Sequence, residues 1–361
     1  MPSAQLPSTQ LPASQVPSSQ ALSAQAPFTR PRPRGLFAMG RRHRDALFPP
    51  AAIQRLTRHV DLDPQLVAED FDRMPDLASV ELLITSWGCP PLDGDVLARM
   101  PALKAVVHAA GSVKHHVTEA CWERGLRVST AAAANAVPVA EYTVAAVLFA
   151  NKRVLEISGL YREHRAALDW SAHFPGFGNY RRTVGVVGAS LVGRRVLELL
   201  RPFDFDLLLA DPTLDPASAR AMGARLVELD ELLAGSDVVS LHAPELPETY
   251  HLLDARRLSL LRDGATLVNT GRGSLIDSEA LTAEAVSGRI HAVLDVTEPE
   301  VLPATSPLYS LPNVLLTPHI AGSLGNELLR ITSSALDEVE RYCGGREFAY
   351  PVTRAALTIS A

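Results

Sequence analysis

Cysteine is scarce in this chain, and the cysteines that occur follow no pattern. The 361 residues include three, Cys89, Cys121 and Cys343, which lie far apart in sequence. A disulfide framework needs an even set of cysteines, and a structural metal site needs closely spaced ligands. The sequence therefore predicts reduced thiols, no metal site and a cytoplasmic protein.

The chain also lacks an excess of positive charge and an uninterrupted membrane-spanning run. It has 40 acidic and 34 basic residues, which gives a formal net charge of −6 at pH 7. Non-specific binding of nucleic acid needs a basic surface, so we expect no nucleic-acid partner. Pro138 and Glu141 interrupt the apolar stretch 137–150, whereas a bilayer span needs about 20 apolar residues. The stretch predicts the buried face of a long helix, and we expect no membrane partner.

Acidic residues are absent before Asp45, and the first 35 residues form a proline, serine and glutamine repeat. Proline recurs every five residues from Pro2 to Pro17, with glutamine in step. Such a repeat can neither propagate a helix nor bury a core, so it predicts a disordered tail over residues 1–35. Arginines near its end are typical of a transit peptide, but the regular prolines forbid the amphipathic helix that a transit peptide needs. We interpret the segment as a dispensable tail.

From residue 35 onward, short apolar runs alternate with segments of helical spacing. Apolar runs bounded by turn residues predict strands, and strands that alternate with helices predict parallel, doubly wound sheets. The predicted strands are 35–39, 81–85, 104–108, 126–129, 183–187, 206–210, 237–241, 265–269, 291–295 and 313–317. The predicted fold class is α/β, with two Rossmann-like βα domains and a cleft between them.

The predicted helices set the division between these domains. They cover residues 46–59, 118–124, 136–163 and 326–342. We expect a first domain over 36–135, completed by a C-terminal helix within 326–345, and a second domain over 136–322. The first would carry the substrate loops and the second the nucleotide turn.

A strand, a tight turn and a helix start occur together in VGVVGASLVG at 184–193. Gly188 permits the turn, Gly193 lets the helix pack close to the strand, and the backbone amides at the helix start can receive a pyrophosphate. Ser190 stands where the usual G-x-G-x-x-G pattern has its middle glycine. We expect a retained site with slight adjustment.

Asp211 ends the next predicted strand, at about the 20-residue spacing that a dinucleotide site requires. A carboxylate there can hold the ribose hydroxyls and would repel a 2′-phosphate, which favours NAD over NADP. The alternative is an ordinary βα turn followed by a solvated aspartate.

Three later strands end in polar clusters: NTGRGS at 269–274, LDVTEPE at 294–300 and LTPHIAG at 316–322. Strand ends are where open α/β sheets keep their chemistry. Together with TVGVVGASLVG and LLLADP, and in this order, these motifs resemble the D-isomer-specific 2-hydroxyacid dehydrogenase family. The similarity covers roughly residue 35 to the C-terminal helix. It implies NAD(H), a homodimer and reversible reduction of a 2-keto acid to a D-2-hydroxy acid.

The resemblance also implies a role for each cluster. Arg272 would bind the substrate carboxylate and polarise its carbonyl, and His319 would exchange the proton. Glu300, five residues after Asp295, would favour the charged form of that histidine and fix its orientation. Glu298 competes for this role, and we favour Glu300 on the spacing of the motif. Each side chain taken alone could instead be a surface charge or a helix cap.

A cofactor site at the nucleotide turn and the following strand ends is implied as well. Its members are Gly188, Ser190, Leu191, Val192, Gly193, Asp211, Ala243, Pro244, Thr270, Gly271, Asp295 and Gly322. By the same resemblance, Asp295 would lie near the nicotinamide carboxamide, and the segment around Ala243 would line the adenosine side.

The substrate side is predicted from loops of the first domain. In the family, the turn at Ala110, Gly111 and Ser112 would offer backbone N–H groups to the substrate carboxylate. The sequence then departs from the usual pattern: residues 114–116 are a lysine and two histidines, which either attract an acidic substrate or are simply exposed. Trp87 either sets the pocket size or packs under the hinge between the domains.

The sequence leaves alternative roles open for one residue and for one helix. Asn135 either caps the long helix or touches the cofactor. The apolar helix around 137–150 suits a subunit interface or a domain hinge. The predicted small-molecule partner is a 2-hydroxy or 2-keto acid.

Two other functions fit the same sequence. One is an NAD(H)-binding regulatory or corepressor-like protein that uses the tail to recruit partners. The other is a phosphite dehydrogenase on the same scaffold. A formate dehydrogenase would carry glutamine in place of Glu300. The favoured prediction is an NAD-dependent oxidoreductase of D-2-hydroxy acids.

Overall fold

Two β-sheets, parallel apart from one edge strand, form the framework of the protein in a computed structural model that describes residues 31–357. The predicted tail lies almost wholly outside these residues, so its disorder stays a prediction. The strands, in chain order, are β1 (Gly35–Ala38), β2 (Val67–Ala68), β3 (Leu82–Thr85), β4 (Ala105–His108), β5 (Arg127–Thr130), β6 (Thr183–Val187), β7 (Asp206–Ala210), β8 (Arg225–Leu226), β9 (Val238–Leu241), β10 (Thr266–Asn269), β11 (His291–Leu294), β12 (Val314–Leu316) and β13 (Pro351–Val352).

Helices connect these strands. They are α1 (Arg41–Leu47), α2 (Pro50–Thr57), α3 (Gly94–Ala98), α4 (Glu119–Glu123), α5 (Ala132–Asn151), α6 (Val154–His164), α7 (Trp170–His173), α8 (Leu191–Leu200), α9 (Pro216–Ala221), α10 (Leu229–Gly235), α11 (Ala255–Ser259), α12 (Ser278–Val286), α13 (Leu328–Cys343) and α14 (Arg354–Leu357). The first sheet has the strand order β13-β5-β4-β3-β1-β2, and the second has β12-β11-β10-β9-β6-β7-β8. The predicted α/β class with Rossmann-like sheets is confirmed.

All ten predicted strands are present, each within one residue of its predicted ends. Three strands were missed: β2, β8 and β13, each two residues long. Two residues are too few to show a periodic pattern, so these strands depend on the edge that they join. β13 pairs antiparallel with β5 and closes one side of the first sheet.

Two helix predictions were wrong. The predicted helix 46–59 is split into α1 and α2, because Pro50 occupies the first turn of α2 and its ring cannot continue a preceding helix. The predicted helix 136–163 begins earlier, at Ala132, and is split into α5 and α6 at Arg153, which has a left-handed backbone with φ 51°. A left-handed residue cannot continue a right-handed helix.

Side chains on both faces of each sheet are buried, as parallel sheets require. In the second sheet, Val186 packs toward α5 and α8, whereas the next residue, Val187, packs toward α10, α11 and α12. In the first sheet, Phe37 packs against α13. The C-terminal helix therefore completes the layer over the first sheet.

The apolar helix α5 is long and apolar enough to cross a membrane by length and composition. In the structure, Ala140, Ala146 and Val147 of this helix are buried in the core that also contains Val186 and Val196. α5 is thus a packed element of the described fold.

Strand register places the functional loops along one edge of the second sheet. Val187 pairs with Leu241, and Leu241 pairs with Asn269. Asn269 in turn pairs with Leu294, which pairs with Leu316. Because these strands are parallel and end at the same level, the polar loops that follow them share one rim.

Candidate active site

The nucleotide turn after β6 needs both of its predicted glycines. Gly188 has φ 91°, a left-handed conformation that glycine adopts readily. A side chain at Gly188 would come within 2.6 Å of the Ala243 backbone nitrogen, and one at Gly193 would overlap the Gly188 carbonyl oxygen. The turn, the start of α8 and the loop after β9 are therefore packed backbone to backbone.

Ser190, the departure from the usual pattern, caps α8. Its hydroxyl oxygen accepts a hydrogen bond from the Gly193 N–H at 3.3 Å. The N–H groups of Leu191 and Val192 have no acceptor within residues 31–357. Free N–H groups at a helix start attract anions, and the residues present fit the pyrophosphate of a dinucleotide.

Asp211, beside this turn, is tied into the loop. One of its carboxylate oxygens accepts from the Ala189 N–H at 2.7 Å, and the other accepts from the N–H and hydroxyl of Thr213 at 2.9 and 2.6 Å. Partial burial opposes ionisation of Asp211, but the hydrogen bonds from Thr213 and Ala189 and the charge of Arg194 hold its pKa below the ordinary value. A 2′-phosphate would meet a negative charge here.

His319 and Glu300 form a close pair at the rim of the second sheet. His319 Nδ1 lies 2.6 Å from Glu300 Oε1, which leaves Nε2 for another partner. Both side chains are about half exposed. Glu298, the competing carboxylate, lies 3.4 Å from His251 instead. Of the two glutamates, it is Glu300 that contacts the imidazole.

Asp295 organises the loop that carries His319. It is 2% exposed. Its carboxylate accepts hydrogen bonds from the Thr317 hydroxyl at 2.6 Å and from the N–H groups of Ile320 and Ala321 at 2.8 Å. Its carbonyl accepts from the His319 N–H at 2.8 Å. The sequence did not predict this role, which holds His319 in its left-handed conformation, φ 54°.

Arg272 follows β10 and faces an acidic neighbour. Its Nε lies 3.9 Å from Glu245 Oε2, and Glu245 Oε1 accepts from the Ser274 hydroxyl at 2.7 Å. The buried side chain of Asn269 closes the loop: its amide donates to the Arg272 carbonyl at 2.8 Å and its oxygen accepts from the Gly271 N–H at 3.0 Å. The predicted site omitted both Glu245 and Asn269.

The Arg272 and Glu300 loops lie directly against each other. A side chain at Gly273 would overlap the Thr297 carbonyl group. The buried hydroxyl of Thr270 lies 2.9 Å from that of Thr143 on α5. The loop that carries Arg272 thus packs against both the loop that carries Glu300 and helix α5.

Asn135 does not cap the long helix, so that alternative is wrong. It lies inside the first turn of α5, and Ala131 takes the capping position. The Asn135 side-chain oxygen accepts from the Ser323 N–H at 3.0 Å, next to Gly322. Asn135 therefore links α5 to the segment that follows His319.

Side-chain hydroxyl groups contact the backbone carbonyls of the turn after β4. The Ala109 carbonyl accepts from the Ser86 hydroxyl at 2.9 Å. The Thr130 hydroxyl lies 2.9 Å from the Ala110 carbonyl and 2.5 Å from that of Gly111. In the described part of the chain, the N–H groups of Gly111 and Ser112 have no acceptor. The turn therefore offers N–H groups of the kind that bind an anion.

The other candidates on the substrate side differ from one another. Trp87 is partly exposed, and its ring lies 5.5 Å from that of His43. His116 is buried, which excludes simple exposure for this residue. Burial and the charge of His115 lower the pKa of His116 to about 4.

Burial lowers the pKa of Lys114, and the charge of Arg272 adds to this shift while Glu245 opposes it. The pKa of Lys114 therefore depends on charged side chains in loops of the second sheet.

Metal ligation has no basis in the described residues. Between residues 31 and 357, no group of three or more His, Cys, Asp or Glu side chains could hold a metal ion.

Comparison with known proteins gives consistent matches. Residues 144–321 match the family model for the D-isomer specific 2-hydroxyacid dehydrogenase, NAD binding domain. The chain is 31% identical over 284 residues to a glyoxylate reductase of Korarchaeum cryptofilum, covering 76% of this chain and 84% of that protein. It is 34% identical over 257 residues to a D-3-phosphoglycerate dehydrogenase of Mycobacterium tuberculosis, covering 70% of this chain and 48% of that protein. The chain thus spans about half the length of such phosphoglycerate dehydrogenases.

Solved structures are also similar to this chain in sequence and fold. The TT0316 protein from Thermus thermophilus is 31% identical, with a TM-score of 0.70 over 89% of this chain and all of that chain. A D-lactate dehydrogenase from Aquifex aeolicus, complexed with NAD and lactic acid, is 27% identical. Its TM-score is 0.68 over 86% of this chain and 96% of that chain.

Proposed function

The chain belongs to the D-isomer specific 2-hydroxyacid dehydrogenase family, and from this premise we propose that it is an NAD-dependent oxidoreductase. Its substrates would be a 2-keto acid and the corresponding D-2-hydroxy acid. One observation carries the proposal: the 2.6 Å contact between His319 Nδ1 and Glu300 Oε1, on the same rim as Arg272 and the nucleotide turn. This rim joins an anion ligand, a proton donor and a dinucleotide site.

The cofactor would be held by the N–H groups at the start of α8 and by Asp211. A bound nicotinamide supplies the hydride in one direction and accepts it in the other. The carboxylate of Asp211 favours ribose hydroxyls over a 2′-phosphate, so NAD fits this site better than NADP. The rest of the reaction belongs to side chains of this chain.

Proton transfer is the role of His319. As an imidazolium, it would donate a proton from Nε2 to the carbonyl oxygen of the keto acid while hydride reaches the carbonyl carbon. Glu300 would hold the Nδ1–H and stabilise the positive charge of the ring. In the reverse direction, neutral His319 takes the hydroxyl proton.

Binding of the substrate carboxylate would combine Arg272 with the turn at residues 110–112. The guanidinium offers a planar fork of donors, and the turn offers the free N–H groups of Gly111 and Ser112. Arg272 would also polarise the carbonyl that accepts the hydride. The ion pair between Glu245 and Arg272 must break when the substrate binds.

We propose that the protein is a homodimer that pairs through α5 and the start of α6. Phe149 is 55% exposed and Leu155 43% exposed. They line an apolar cavity of about 200 Å³ together with Tyr142 and Leu315. Exposed apolar side chains beside an apolar cavity suit a self-complementary contact. The free thiols of the described chain agree with the cytoplasmic location that we also propose.

An assay of NADH oxidation with 2-keto acids of different size and charge tests the proposed activity. We expect turnover with at least one keto acid, and a loss of about 10²- to 10⁴-fold in kcat for His319→Gln. Turnover of phosphite with NAD+ and of no keto acid would point to the phosphite reaction. Binding of NADH without any turnover would favour a regulatory protein, and deletion of residues 1–35 would then abolish partner binding.

A further inference from the structure

Three buried side chains behind the 110–112 turn form a hydrogen-bonded group that the reaction above does not use. Thr85 Oγ1 lies 2.9 Å from Nδ1 of His108 and 3.3 Å from Nε2 of His116. The two imidazole rings lie 4.6 Å apart, and none of the three residues is more than 3% exposed. Thr85 ends β3, His108 ends β4, and His116 follows the turn. The group therefore joins three segments that surround the turn.

Hydrogen-bonding capacity fixes the direction of these contacts. A single hydroxyl donates one hydrogen bond, so one of the two imidazoles must donate to Thr85. The other imidazole then accepts from the hydroxyl through an unprotonated nitrogen. The hydrogen bonds at Thr85 therefore require opposite protonation of the two nitrogens that face it, Nδ1 of His108 and Nε2 of His116.

Both histidines are neutral in this arrangement. Burial is the main cause that lowers the pKa of each ring, and the titratable groups that act on them are the histidines themselves and His115. No carboxylate contributes to either pKa. The group therefore behaves differently from the half-exposed pair of His319 and Glu300.

Peptide geometry connects this group to the anion site. A trans peptide is planar, so its carbonyl and the following N–H point in opposite directions. Holding the carbonyls of Ala110 and Gly111 from behind therefore turns the N–H groups of Gly111 and Ser112 the other way. His108 and His116 stand at the two ends of the segment that contains this turn, and Thr85 joins their side chains.

We propose that Thr85, His108 and His116 are positioning residues that hold the segment 108–116, and with it the 110–112 turn, for binding of the substrate carboxylate. The inference rests on the proposed function, because that function makes the turn a carboxylate site. None of the three side chains needs to touch the substrate. They act through the direction of backbone N–H groups.

A pair of substitutions at Thr85 tests this role in the full-length protein. Thr85→Val removes the hydroxyl and keeps the shape of the side chain, whereas Thr85→Ser keeps the hydroxyl. For Thr85→Val we expect KM for the keto acid to rise about tenfold, since one lost hydrogen bond has about that effect. Thr85→Ser should resemble the wild type. Neither variant should change kcat or KM for NADH by more than about twofold, because the turn binds only the substrate.

A second measurement needs no activity. The nitrogen chemical shifts of protein labelled with ¹⁵N-histidine report which ring nitrogen carries the proton. We expect one of the two nitrogens that face Thr85, His108 Nδ1 and His116 Nε2, to carry a proton and the other to carry none, and both signals to shift in Thr85→Val. This tests the wild-type protein even where a variant fails to fold.

Either of two results would overturn the inference: the same protonation state at His108 Nδ1 and His116 Nε2, or an unchanged keto-acid KM in a folded Thr85→Val variant. A parallel rise of the KM for NADH would indicate general loosening and would also contradict it. If the wild type reduces no keto acid, the proposed function fails instead. The labelling experiment then still decides whether the hydrogen bonds exist as described.

Discussion

At the scale of single residues, the histidines of this protein differ in their access to solvent. His319 is half exposed beside Glu300, whereas His108, His116 and His242 are buried and have lowered pKa values. Burial removes water from the imidazole and therefore disfavours its charged form. A proton donor for catalysis must reach the substrate, which the half-exposed His319 can do and the buried rings cannot.

Glu300→Gln should lower kcat for keto-acid reduction by about 10- to 100-fold, because a neutral amide stabilises the imidazolium less well. Steady-state kinetics of keto-acid reduction measures this effect. Glu298→Gln is the matched control and should leave kcat within about twofold of the wild type. The reverse ranking of the two variants would transfer the role to Glu298.

Glu245→Gln should lower KM for the keto acid by about two- to fivefold. The Glu245 carboxylate lies 3.9 Å from Arg272 Nε and competes with the substrate for that cation. An exposed ion pair is worth up to about 1 kcal/mol, which sets this range. The difference from wild type should shrink in high salt because charges are screened. Glu248→Gln, in the same loop, serves as the control. A higher KM in Glu245→Gln would mean that Glu245 helps the substrate to bind.

The sequence predicted Arg272, Glu300 and His319 as site residues, because each lies in a polar cluster that ends an apolar strand. It missed Glu245 and Asn269 for different reasons. Glu245 lies in an irregular loop whose position against Arg272 depends on the fold of the whole sheet. Asn269 was visible as the last residue of a strand, but its contacts with Gly271 and Arg272 exist only once the turn has formed.

At the scale of elements, strands were easier to predict than helix ends. A parallel strand buried on both faces is a short uniform apolar run, so its ends follow from the sequence. The break between α5 and α6 has no such local signal. Arg153 adopts its left-handed conformation there while its guanidinium donates to the Gly264 carbonyl at 2.6 Å, a contact between residues 111 positions apart.

Ser190→Ala should lower the free energy of unfolding by about 1 kcal/mol, the usual cost of losing a helix cap. The Ser190 hydroxyl is the group that accepts from the Gly193 N–H at the start of α8. Urea unfolding monitored by circular dichroism measures the change. Ser190→Gly restores the usual pattern of the turn and should cost only a few tenths of a kcal/mol. Equal stability of Ser190→Ala and wild type would show that the cap contributes nothing.

At the scale of the whole molecule, the buried histidines link stability to pH. The pKa is lowered to about 4 for His116 and to about 3 for His242, mainly by burial. The ordinary histidine value is about 6.5, so the unfolded chain binds more protons than the folded chain between about pH 4 and 6.5. Stability should therefore be greatest above pH 6.5 and should fall as the pH decreases.

Each buried histidine should contribute a slope of up to about 1.4 kcal/mol per pH unit within this range. Urea unfolding at pH 7.5 and pH 5 measures the difference. His116→Gln should reduce the loss of stability between these two pH values, whereas His164→Gln, at an exposed position, should leave it unchanged. A stability that stays constant from pH 7.5 to 5 would contradict the prediction.

Phe149→Glu should convert the proposed dimer to monomers, because it puts a charge into an apolar contact. Analytical ultracentrifugation at several protein concentrations measures the assembly state. Tyr180→Glu, at another exposed aromatic position, should leave it unchanged. A wild-type protein that sediments as a monomer would refute this interface.

The two sheets supply different binding groups, and this difference has a kinetic consequence. The groups proposed for the cofactor come mostly from loops of the second sheet, whereas the carboxylate ligands come from both sheets: Arg272 from one and the 110–112 turn from the other. NADH would therefore bind to groups that one sheet mostly supplies, whereas the keto acid needs ligands from both sheets. The two substrates should add in a compulsory order, cofactor first, and the hydroxy acid should depart before the oxidised nucleotide.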